Sequence, residues 1–412
     1  MKYLDVVVEN KSRHTDSFFT YRAPDETELR IGDKVWVPFG RGDKTKAGFV
    51  FAFPEHISCP EQKIKEIEGV DAAGSLNREM MKTAAWMKQR YAITYSDAIS
   101  CFCVKGNPPR EGKAKEPYKD LPGRDERPAA LTEEQTASVE CINEAIAASR
   151  HEIFLLHGVT ASGKTEVYME AIDKCLKLDK TAIMLVPEIA LTNQIMEHFI
   201  GRFGKDRLAV MHSKLTPRER YDEWHRIRSG RARIVIGARM GVFAPAENIG
   251  LIIMDEEHEA TYKSDMTPKY DTVEVAAKRL QTTGGVLLLG SATPSVVSYE
   301  RAKEGIYQLL TLKQRYNRNP LPRVEIVDMR EELRAGNTNI FSRRLYSAIE
   351  ETLKKGQQVI LFQNRRGYSN FVSCRACGAV MKCPECDLSL VYHKKEHAMI
   401  CHYCGRQFPL PE

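Results

Sequence analysis

From residue 131 onward, short runs of apolar residues recur along the chain, with helix-like polar stretches between them. The runs are IFLLHG, AIMLVPE, LAVMHS, RIVIGA, LIIMDEE, VLLLGSAT, VEIVDM and QVILFQN. Continuous apolar strands that alternate with helices are typical of a parallel sheet covered on both faces. The pattern predicts an α/β fold with a parallel-sheet lobe over residues 131–325.

The first 105 residues follow a different pattern. DKVWVPFG and AGFVFAFP are short, aromatic-rich segments separated by the charged RGDKTK, which predicts a β-hairpin. Further on, Leu76, Met80, Ala84 and Met87 recur at helical spacing. We therefore expect a small β-rich domain over residues 1–105.

Residues 106–130 are rich in proline and charge and lack an apolar period. Such a composition predicts a linker. The last segment, residues 373–412, carries three C-x-x-C pairs and forms a separate cysteine-rich region.

Composition narrows the class of protein. A chain of 412 residues with 42% apolar and 28% charged residues predicts two or three globular domains. No apolar run approaches the roughly 20 residues of a membrane helix, and no signal peptide is evident, so we expect a cytoplasmic protein with no membrane partner. The net charge of +6 permits nucleic-acid binding but does not imply it. Eleven cysteines in a reducing compartment indicate metal or redox chemistry rather than disulfides.

The stretch HGVTASGKT matches the phosphate-binding P-loop pattern, between the strand-like EIFLL and the helix-like EVYMEAI. Backbone N–H groups of such a loop and the following helix N-terminus bind phosphate oxygens. Lys164 would reach the β- and γ-phosphates of ATP, and Thr165 would bind Mg²⁺. The alternative is a glycine-rich turn without a ligand. The predicted nucleotide-binding residues are Gly158, Val159, Thr160, Ala161, Ser162, Gly163, Lys164 and Thr165.

The stretch GLIIMDEEHE places carboxylates after an apolar strand. A parallel sheet carries its site at the carboxyl ends of its strands. Asp255 is thus a candidate Mg²⁺ ligand, and Glu256 is a candidate base for the attacking water. A solvated acidic loop is the alternative.

The cysteine pairs predict a zinc site. Cys383, Cys386, Cys401 and Cys404 have the spacing C-x₂-C-x₁₄-C-x₂-C, which is typical of a four-thiolate structural Zn²⁺. Cys374 and Cys377 would then form a half site, and a redox thiol cluster is the alternative. We interpret the nearby histidines as surface residues; they are His393, His397 and His402.

Taken in order, the P-loop, Asp255-Glu256-Glu257-His258 and GSATPS resemble motifs I, II and III of superfamily 2 helicases. The resemblance implies a RecA-like lobe in which His258 contacts the S-A-T motif, residues 291–293, which couples hydrolysis to DNA movement. Gln135 in LTEEQ would read adenine; an exposed helix-start glutamine is the alternative. Residues 186–192 and 234–245 resemble motifs Ia and Ib of the single-strand path; a proline-terminated strand and a glycine turn are their alternatives.

Several stretches together resemble the PriA family of bacterial replication-restart helicases. They are VPFG with GFV, LHGVTASGKTEVY, LVPEIALT, DEEHEATYK, GSATPS, FQNRRGYS and the C-x-x-C series. The resemblance implies an ATP-dependent DNA helicase of 3′-to-5′ polarity that recognises stalled forks and helps load the replicative helicase. It also implies partners: forked and single-stranded DNA, DNA 3′ ends, primosome proteins, single-stranded-DNA-binding protein and the replicative helicase.

Two DNA contacts follow from the same resemblance. Thr20, between Phe19 and Tyr21, occupies the place of a residue, often Asp, in a pocket for a DNA 3′ end; the two aromatic residues could instead be core. In TYKSDMTPKY, Tyr262 and Tyr270 would stack on single-stranded DNA, with local packing as the alternative.

The chain also departs from the family pattern. The short linker at 106–130 predicts that a winged helix is absent. VILFQNRRGYS resembles motif IV at the start of a second lobe, residues 326–372, but motifs V and VI and a fourth cysteine pair do not follow. We therefore expect an N-terminal fragment that binds ATP and unwinds little or nothing.

Two other functions fit part of the sequence. A non-catalytic fork-binding scaffold with ATP as a conformational ligand is the main alternative, because the second lobe is missing. An RNA helicase or restriction-type translocase shares the ATPase motifs, but it accounts neither for the N-terminal unit nor for the thiol pairs.

Overall fold

The computed structural model describes residues 2–10, 12–57, 59–104, 117–118, 120–125, 127–188, 192–320, 322–362, 374, 377, 379–393 and 396–410. Residues 105–116, which include the first part of the predicted linker at 106–130, lie outside these residues, as do the middle of the motif Ia stretch and most of the motif IV stretch. The chain divides into two compact units, Met1–Pro320 and Leu321–Glu412. Among the described helices, none is both long and apolar enough to cross a bilayer.

The first unit begins with a six-stranded sheet in the order β5-β2-β1-β4-β3-β6. Its strands and the two helices after it are β1 Lys2–Val8, β2 Phe18–Ala23, β3 Lys34–Phe39, β4 Lys44–Ala52, β5 Lys65–Glu66, β6 Gly69–Asp71, α1 Arg78–Tyr91 and α2 Tyr95–Ser100. The predicted hairpin is confirmed, because β3 and β4 pair antiparallel.

The predicted amphipathic helix is α1. Asn77 caps it, with its side-chain oxygen accepting a hydrogen bond from the Met80 N–H at 2.9 Å. Leu76, Met80, Ala84 and Met87 are all buried, as their spacing predicts. The helix thereby closes the core beneath the N-terminal sheet.

A seven-stranded sheet forms the rest of the first unit, in the order β13-β7-β12-β11-β8-β10-β9 with every pairing parallel. Apolar layers cover both faces, so the strands are buried. Its elements are α3 Glu133–Ala147, β7 Ile153–Gly158, α4 Lys164–Lys177, β8 Thr181–Leu185, α5 Asn193–Phe203, β9 Leu208–Met211, α6 Pro217–Arg228, β10 Ile234–Gly237, β11 Ile249–Asp255, α7 Thr272–Thr283, β12 Val286–Ser291, α8 Val296–Lys303 and β13 Gln308–Leu312. Six of the predicted apolar runs are β7 to β12.

A buried ion pair joins α1 to this lobe. Arg279 on α7 is fully buried, and its guanidinium donates to the Glu79 carboxylate, with Nη2 2.8 Å from Oε2. Its Nη1 also donates to the carbonyls of Val242 and Ala244, at 2.6 and 2.9 Å. The guanidinium therefore has partners on both sides, as a buried charge requires.

The second unit begins with α9 Met329–Arg334 and α10 Arg343–Lys354. The strands predicted at VEIVDM and QVILFQN are wrong for their described residues, which form no strand. Ile326 is 95% exposed and Ile360 is 92% exposed. An apolar run becomes a strand only where a neighbour takes its backbone hydrogen bonds and a layer covers it, and the described residues supply neither.

The cysteine-rich region is a three-stranded antiparallel sheet made of β14 Val391–His393, β15 Ala398–Ile400 and β16 Gln407–Phe408. Its buried centre is small: Leu390, Met399, Cys383 and Cys401. So little apolar burial makes this sheet a candidate for stabilisation by a metal.

Candidate nucleotide and metal sites

The P-loop stretch forms the strand–turn–helix that its sequence predicts. β7 ends at Gly158 and α4 begins at Lys164. Between them, Ala161 and Gly163 take left-handed conformations, with φ of 62° and 80°. A Cβ on Gly163 would lie 2.2 Å from Gln135 Nε2, so this turn requires glycine there. The first N–H groups of α4 are thereby directed at the space above the loop.

The side chain of Gln135 forms hydrogen bonds to the backbone of this loop. Its Nε2 donates to the carbonyls of Ser162 and Gly163, at 3.0 and 3.3 Å, and its Oε1 accepts from the Thr132 N–H at 2.9 Å. Gln135 is only 4% exposed. The interpretation of an exposed helix-start glutamine is therefore wrong, while adenine recognition stays a prediction.

The loop residues fit a bound triphosphate. Ser162 Oγ is buried and has no hydrogen-bond partner among the residues that the structure describes. Lys164 Nζ donates to the Gly158 carbonyl at 3.0 Å, a contact that an incoming phosphate can replace. Thr165 is exposed at the first turn of α4. An orphaned hydroxyl, a lysine and a helix N-terminus converge on one space, which is the donor set that an anion requires.

Asp255 ends β11, and a single strand, β12, separates β11 from β7. Since the strands are parallel, the P-loop and Asp255 lie at the same edge of one sheet. Tyr168, on α4, donates from its Oη to Asp255 Oδ1 at 2.9 Å. Burial raises the pKa of Asp255, whereas the Tyr168 hydrogen bond and the Lys164 charge act to lower it.

Glu256 follows in a left-handed conformation with a φ of 47°, which is unusual for a glutamate. Burial, then the neighbouring Asp255 charge, raises the pKa of Glu256, and the Lys164 charge opposes both. The Glu256 carboxylate lies beside His258, with Oε2 3.5 Å from Nδ1. Backbone strain such as that at Glu256 is typical of functional sites.

The remaining two residues of the DEEH segment contact the S-A-T motif and α8. His258 Nδ1 lies 2.8 Å from Ser291 Oγ, the contact that the resemblance implies. The buried Glu257 carboxylate accepts hydrogen bonds from the Ser295 N–H at 2.6 Å and from Ser298 Oγ at 2.9 Å. Glu257 therefore caps the N-terminus of α8, a role that the sequence did not indicate.

The two tyrosines assigned to DNA stacking are buried. Tyr262 and Tyr270 are 3% and 5% exposed. Tyr262 Oη donates to the carbonyls of Asp255 and Leu185, at 2.7 and 3.0 Å, and Tyr270 packs edge-on against Phe243. The stacking interpretation is wrong for these rings in this structure, and the local-packing alternative is confirmed.

In the N-terminal sheet, the aromatic neighbours of Thr20 are core residues. Phe19 packs edge-on against Phe39, and Tyr21 is buried. Thr20 faces the other side, where its Oγ1 donates to Asp5 Oδ1 at 2.8 Å. A carboxylate, that of Asp5, therefore lies beside the uncharged Thr20. The antiparallel register of β1 and β2 pairs the two residues, which the local sequence did not reveal.

The predicted four-thiolate set is brought together. The sulfurs of Cys383, Cys386, Cys401 and Cys404 all lie within 4.8 Å of one another. Cys383 Sγ and Cys404 Sγ are 3.8 Å apart, close to the edge of about 3.8 Å of a tetrahedron with Zn–S bonds near 2.3 Å. Backbone N–H groups of Cys404 and Tyr403 lower the pKa of Cys401 to about 7, whereas burial and hydrogen bonds with the other three thiols raise the pKa of Cys386 to about 12. The residues therefore fit a Zn²⁺ ion.

The same turn presents both cysteine pairs. The Asp387 N–H donates to the Cys383 carbonyl at 2.9 Å, and the Gly405 N–H donates to the Cys401 carbonyl at 2.8 Å. Asp387 and Gly405 both have left-handed φ values, 54° and 76°. Two equivalent turns thus direct four sulfurs at one point.

The other candidate ligands lie outside this group. Cys374 and Cys377 are exposed. His397 and His402 are exposed, as predicted, whereas His393 is half-buried, with its Nε2 2.8 Å from His402 Nε2. The histidines thus do not join the four-thiolate set.

Comparison with known proteins agrees with this arrangement. Family models match in three places: a 3′ DNA-binding domain at residues 5–103, a DEAD/DEAH box helicase domain at 132–302, and the Cys-rich region of PriA DNA helicase at 383–409. The replication restart protein PriA of Treponema pallidum is 37% identical over 407 residues, 96% of this chain. The chain belongs to the PriA family. The zinc-ribbon match coincides with the four converging sulfurs.

Other PriA relatives agree. PriA of Bacillus subtilis is 51% identical over 297 residues, 72% of this chain, and that of Rickettsia felis is 35% identical over 393 residues, 94% of it. The chain spans 60%, 37% and 58% of the Treponema, Bacillus and Rickettsia PriA proteins. A solved structure of RecG bound to a three-way DNA junction is 20% identical, covers 57% of this chain and 31% of its own, and gives a TM-score of 0.37, too low to support an argument.

Proposed function

We propose that this PriA-family chain is the nucleotide-hydrolysing part of a replication-restart DNA motor. One observation carries the proposal: the P-loop and the Asp255–Glu256 pair lie at the same edge of one parallel sheet, and the Lys164 charge acts on both carboxylates. A triphosphate with its magnesium fits between them. Separate domains or opposite sheet edges would have excluded this function.

The proposed roles follow from where each group lies. Residues 158–165 hold the triphosphate, with Lys164 at the β- and γ-phosphates. Thr165 and Asp255 hold Mg²⁺, which when bound offsets the charge of the phosphate oxygens. Glu256 accepts the proton of the attacking water. His258, through Ser291, links the site to the S-A-T motif.

DNA is the proposed substrate of the motor. The N-terminal domain would bind a DNA 3′ end, with the Asp5 carboxylate beside Thr20 as acceptor for a 3′-hydroxyl. The finer family properties are also proposals: 3′-to-5′ polarity, recognition of stalled forks, and association with primosome proteins, single-stranded-DNA-binding protein and the replicative helicase. One structural Zn²⁺ at the four cysteines would hold the three-stranded sheet of β14, β15 and β16, which we call the ribbon.

DNA-stimulated ATP hydrolysis tests the proposal. Lys164→Ala removes the charge at the phosphates, so we expect hydrolysis to fall by about 10²–10³-fold, as when one transition-state donor is removed. Lys177→Ala is the matched control, because Lys177 is an exposed lysine on the same helix. Hydrolysis at the normal rate by Lys164→Ala would refute the proposed site.

A non-catalytic fork-binding scaffold is the second candidate. What favours it is that described residues 322–362 contribute two helices and no strand, so the described residues hold a single RecA-like sheet. A scaffold would bind forked DNA equally well with and without the Lys164 side chain, and it would show no DNA-stimulated hydrolysis. Measuring fork binding and hydrolysis on the unaltered chain and on Lys164→Ala separates the two candidates.

A further inference from the structure

We propose that Tyr168 is a positioning residue for the magnesium-binding carboxylate Asp255, and that its hydroxyl sets the affinity of the nucleotide site for the metal. The inference rests on the proposed function. It adds a residue that lies outside the P-loop and DEEH motifs. Four observations carry it: the burial of Tyr168, its hydrogen bond, its place on α4 and the space left by Gly290.

The hydroxyl of Tyr168 is directed at one atom. Tyr168 is fully buried, and its Oη donates to Asp255 Oδ1 at 2.9 Å. A buried hydroxyl with a single strong acceptor fixes the rotamer of that acceptor. With Oδ1 occupied by Tyr168, Oδ2 remains the oxygen of Asp255 that can turn to a metal.

The spacing along α4 explains how Tyr168 reaches this position. Tyr168 follows Lys164 by four residues, so both side chains lie on the same face of the helix. At the start of the helix Lys164 would contact the phosphates, and one turn later Tyr168 donates a hydrogen bond to the Asp255 carboxylate. One rigid helix therefore sets the separation between the phosphate-binding lysine and Asp255.

The neighbouring strand leaves space for the hydroxyl. A Cβ on Gly290 of β12 would lie 1.7 Å from Tyr168 Oη, so the Tyr168 hydroxyl would have to move away to make room for it. Gly290 directly precedes Ser291, which contacts His258. The tyrosine therefore requires glycine at 290, and two motif segments, through Asp255 and Gly290, meet at the Tyr168 hydroxyl.

Outer groups that orient metal ligands typically contribute about 10–100-fold to metal affinity. For Tyr168→Phe we expect the Mg²⁺ concentration for half-maximal binding of a fluorescent ATP analogue to rise by about that factor. Binding of the same analogue in EDTA should not change, because Lys164 and the loop are intact. Loss of packing alone would instead weaken binding with and without Mg²⁺.

Tyr307→Phe is the matched control, since Tyr307 is a buried tyrosine of the same lobe whose hydroxyl accepts from Arg301. It should leave the Mg²⁺ dependence unchanged. Gly290→Ala, which displaces the Tyr168 hydroxyl, should raise the Mg²⁺ requirement as Tyr168→Phe does. The melting temperature of each variant is measured alongside.

The outcomes separate the two proposals. Normal Mg²⁺ dependence in folded Tyr168→Phe overturns the positioning role and leaves the proposed ATPase intact. Failure of the unaltered chain to bind the nucleotide at any Mg²⁺ concentration overturns both. A raised Mg²⁺ requirement with unchanged binding in EDTA supports the role of Tyr168.

Discussion

The nucleotide site and the cysteine site of this chain are organised in opposite ways. The nucleotide site gathers residues more than 100 positions apart, from Gln135 to Ser291, on a sheet buried on both faces. The cysteine site gathers four residues within 22 positions over a core of a few side chains. At the nucleotide site, other protein groups already hold the functional side chains in place. At the cysteine site, few groups besides the thiols themselves do so.

The difference between the two sites indicates whether protein contacts or a bound metal keeps each site ordered. Tyr168 and Gln135 hold Asp255 and the P-loop without a ligand. The ribbon buries few apolar side chains, which offset little of the entropy of ordering its three short strands. We therefore expect the proposed Zn²⁺ to supply much of its order. The lobe should therefore keep its fold when empty, and the ribbon should not.

Zinc removal is the strongest way to test this contrast. Structural zinc contributes about 10–16 kcal/mol of apparent binding free energy in small zinc domains, so chelation should abolish amide protection in β14, β15 and β16. All three tryptophans, Trp36, Trp86 and Trp224, lie in the first unit. Their unfolding transition should not move.

Two cysteine variants serve as controls for zinc removal. Cys383→Ser should reproduce chelation, whereas Cys374→Ser should keep the zinc, because Cys374 lies outside the four-sulfur group. A zinc-free ribbon that stays protected from exchange would contradict the contrast, and so would a tryptophan transition that falls with it.

Removal of the proposed base should have the next largest effect. Glu256→Gln keeps the size of the side chain but cannot accept a proton, so we expect hydrolysis to fall by about 10²–10⁴-fold. Nucleotide binding should persist, because the loop and Asp255 remain. Glu259→Gln, three residues along in the same segment, is the control. A full hydrolysis rate in Glu256→Gln would assign the proton to another group.

The buried Arg279–Glu79 pair tests whether the first unit is stabilised by its own contacts. Arg279→Ala removes the cationic partner of the Glu79 carboxylate, which keeps the Thr83 hydroxyl as a donor, and it leaves the carbonyls of Val242 and Ala244 without their donor. We expect the free energy of unfolding of this unit to fall by about 3–5 kcal/mol. Denaturant titration followed by tryptophan fluorescence measures it. The exposed Arg90–Glu274 pair is the control, and Arg90→Ala should cost at most about 1 kcal/mol.

Ribbon behaviour in the same variant is decisive for the comparison. Arg279→Ala should leave zinc content and amide protection of β14, β15 and β16 unchanged. Loss of zinc from this variant would show that the ribbon depends on the lobe rather than on its metal.

Gln135 gives the smallest expected effect. Gln135→Glu keeps the acceptor for the Thr132 N–H but cannot donate to the Ser162 carbonyl, so the unpaired buried carbonyl should cost about 1–3 kcal/mol. Nucleotide binding should weaken along with stability, because the loop loses its support. Gln281→Ala, at an exposed position on α7, should change neither. Unaltered nucleotide affinity in Gln135→Glu would mean that the P-loop keeps its conformation without the hydrogen bonds that Gln135 donates.

Much of the lobe could be predicted because its strands are continuous apolar runs. A strand that is buried on both faces is a continuous apolar run, so β7 to β12 are recognisable from composition alone. β13 was missed because its first residues, Gln308 and Leu309, are exposed, whereas β9, the strand at the other edge of the sheet, is mostly buried and was predicted. The same rule over-predicted strands at 324–329 and at the described residues 358–362, where no covering layer is described.

The residues of a site could be predicted where residues close together in the sequence form that site. The P-loop and the cysteine spacing are local patterns, and the structure brings both sets together. Tyr168 and Asp5 were not predictable, because each meets its partner through sheet register or helix packing. The aromatic residues at 262 and 270 misled, since sequence does not state whether a ring is buried.

Adjacent carboxylates in the DEEH segment point in different directions, and this has a mechanical consequence. Glu256 lies beside Asp255 at the proposed nucleotide site, whereas the Glu257 carboxylate accepts hydrogen bonds from Ser295 and Ser298 at the first turn of α8. If the DEEH segment rotated when phosphate leaves, the N-terminus of α8 would therefore move with it. That end of the helix carries Val296 and Val297, whose side chains are 86% and 60% exposed. Hydrolysis would then displace a small exposed apolar surface.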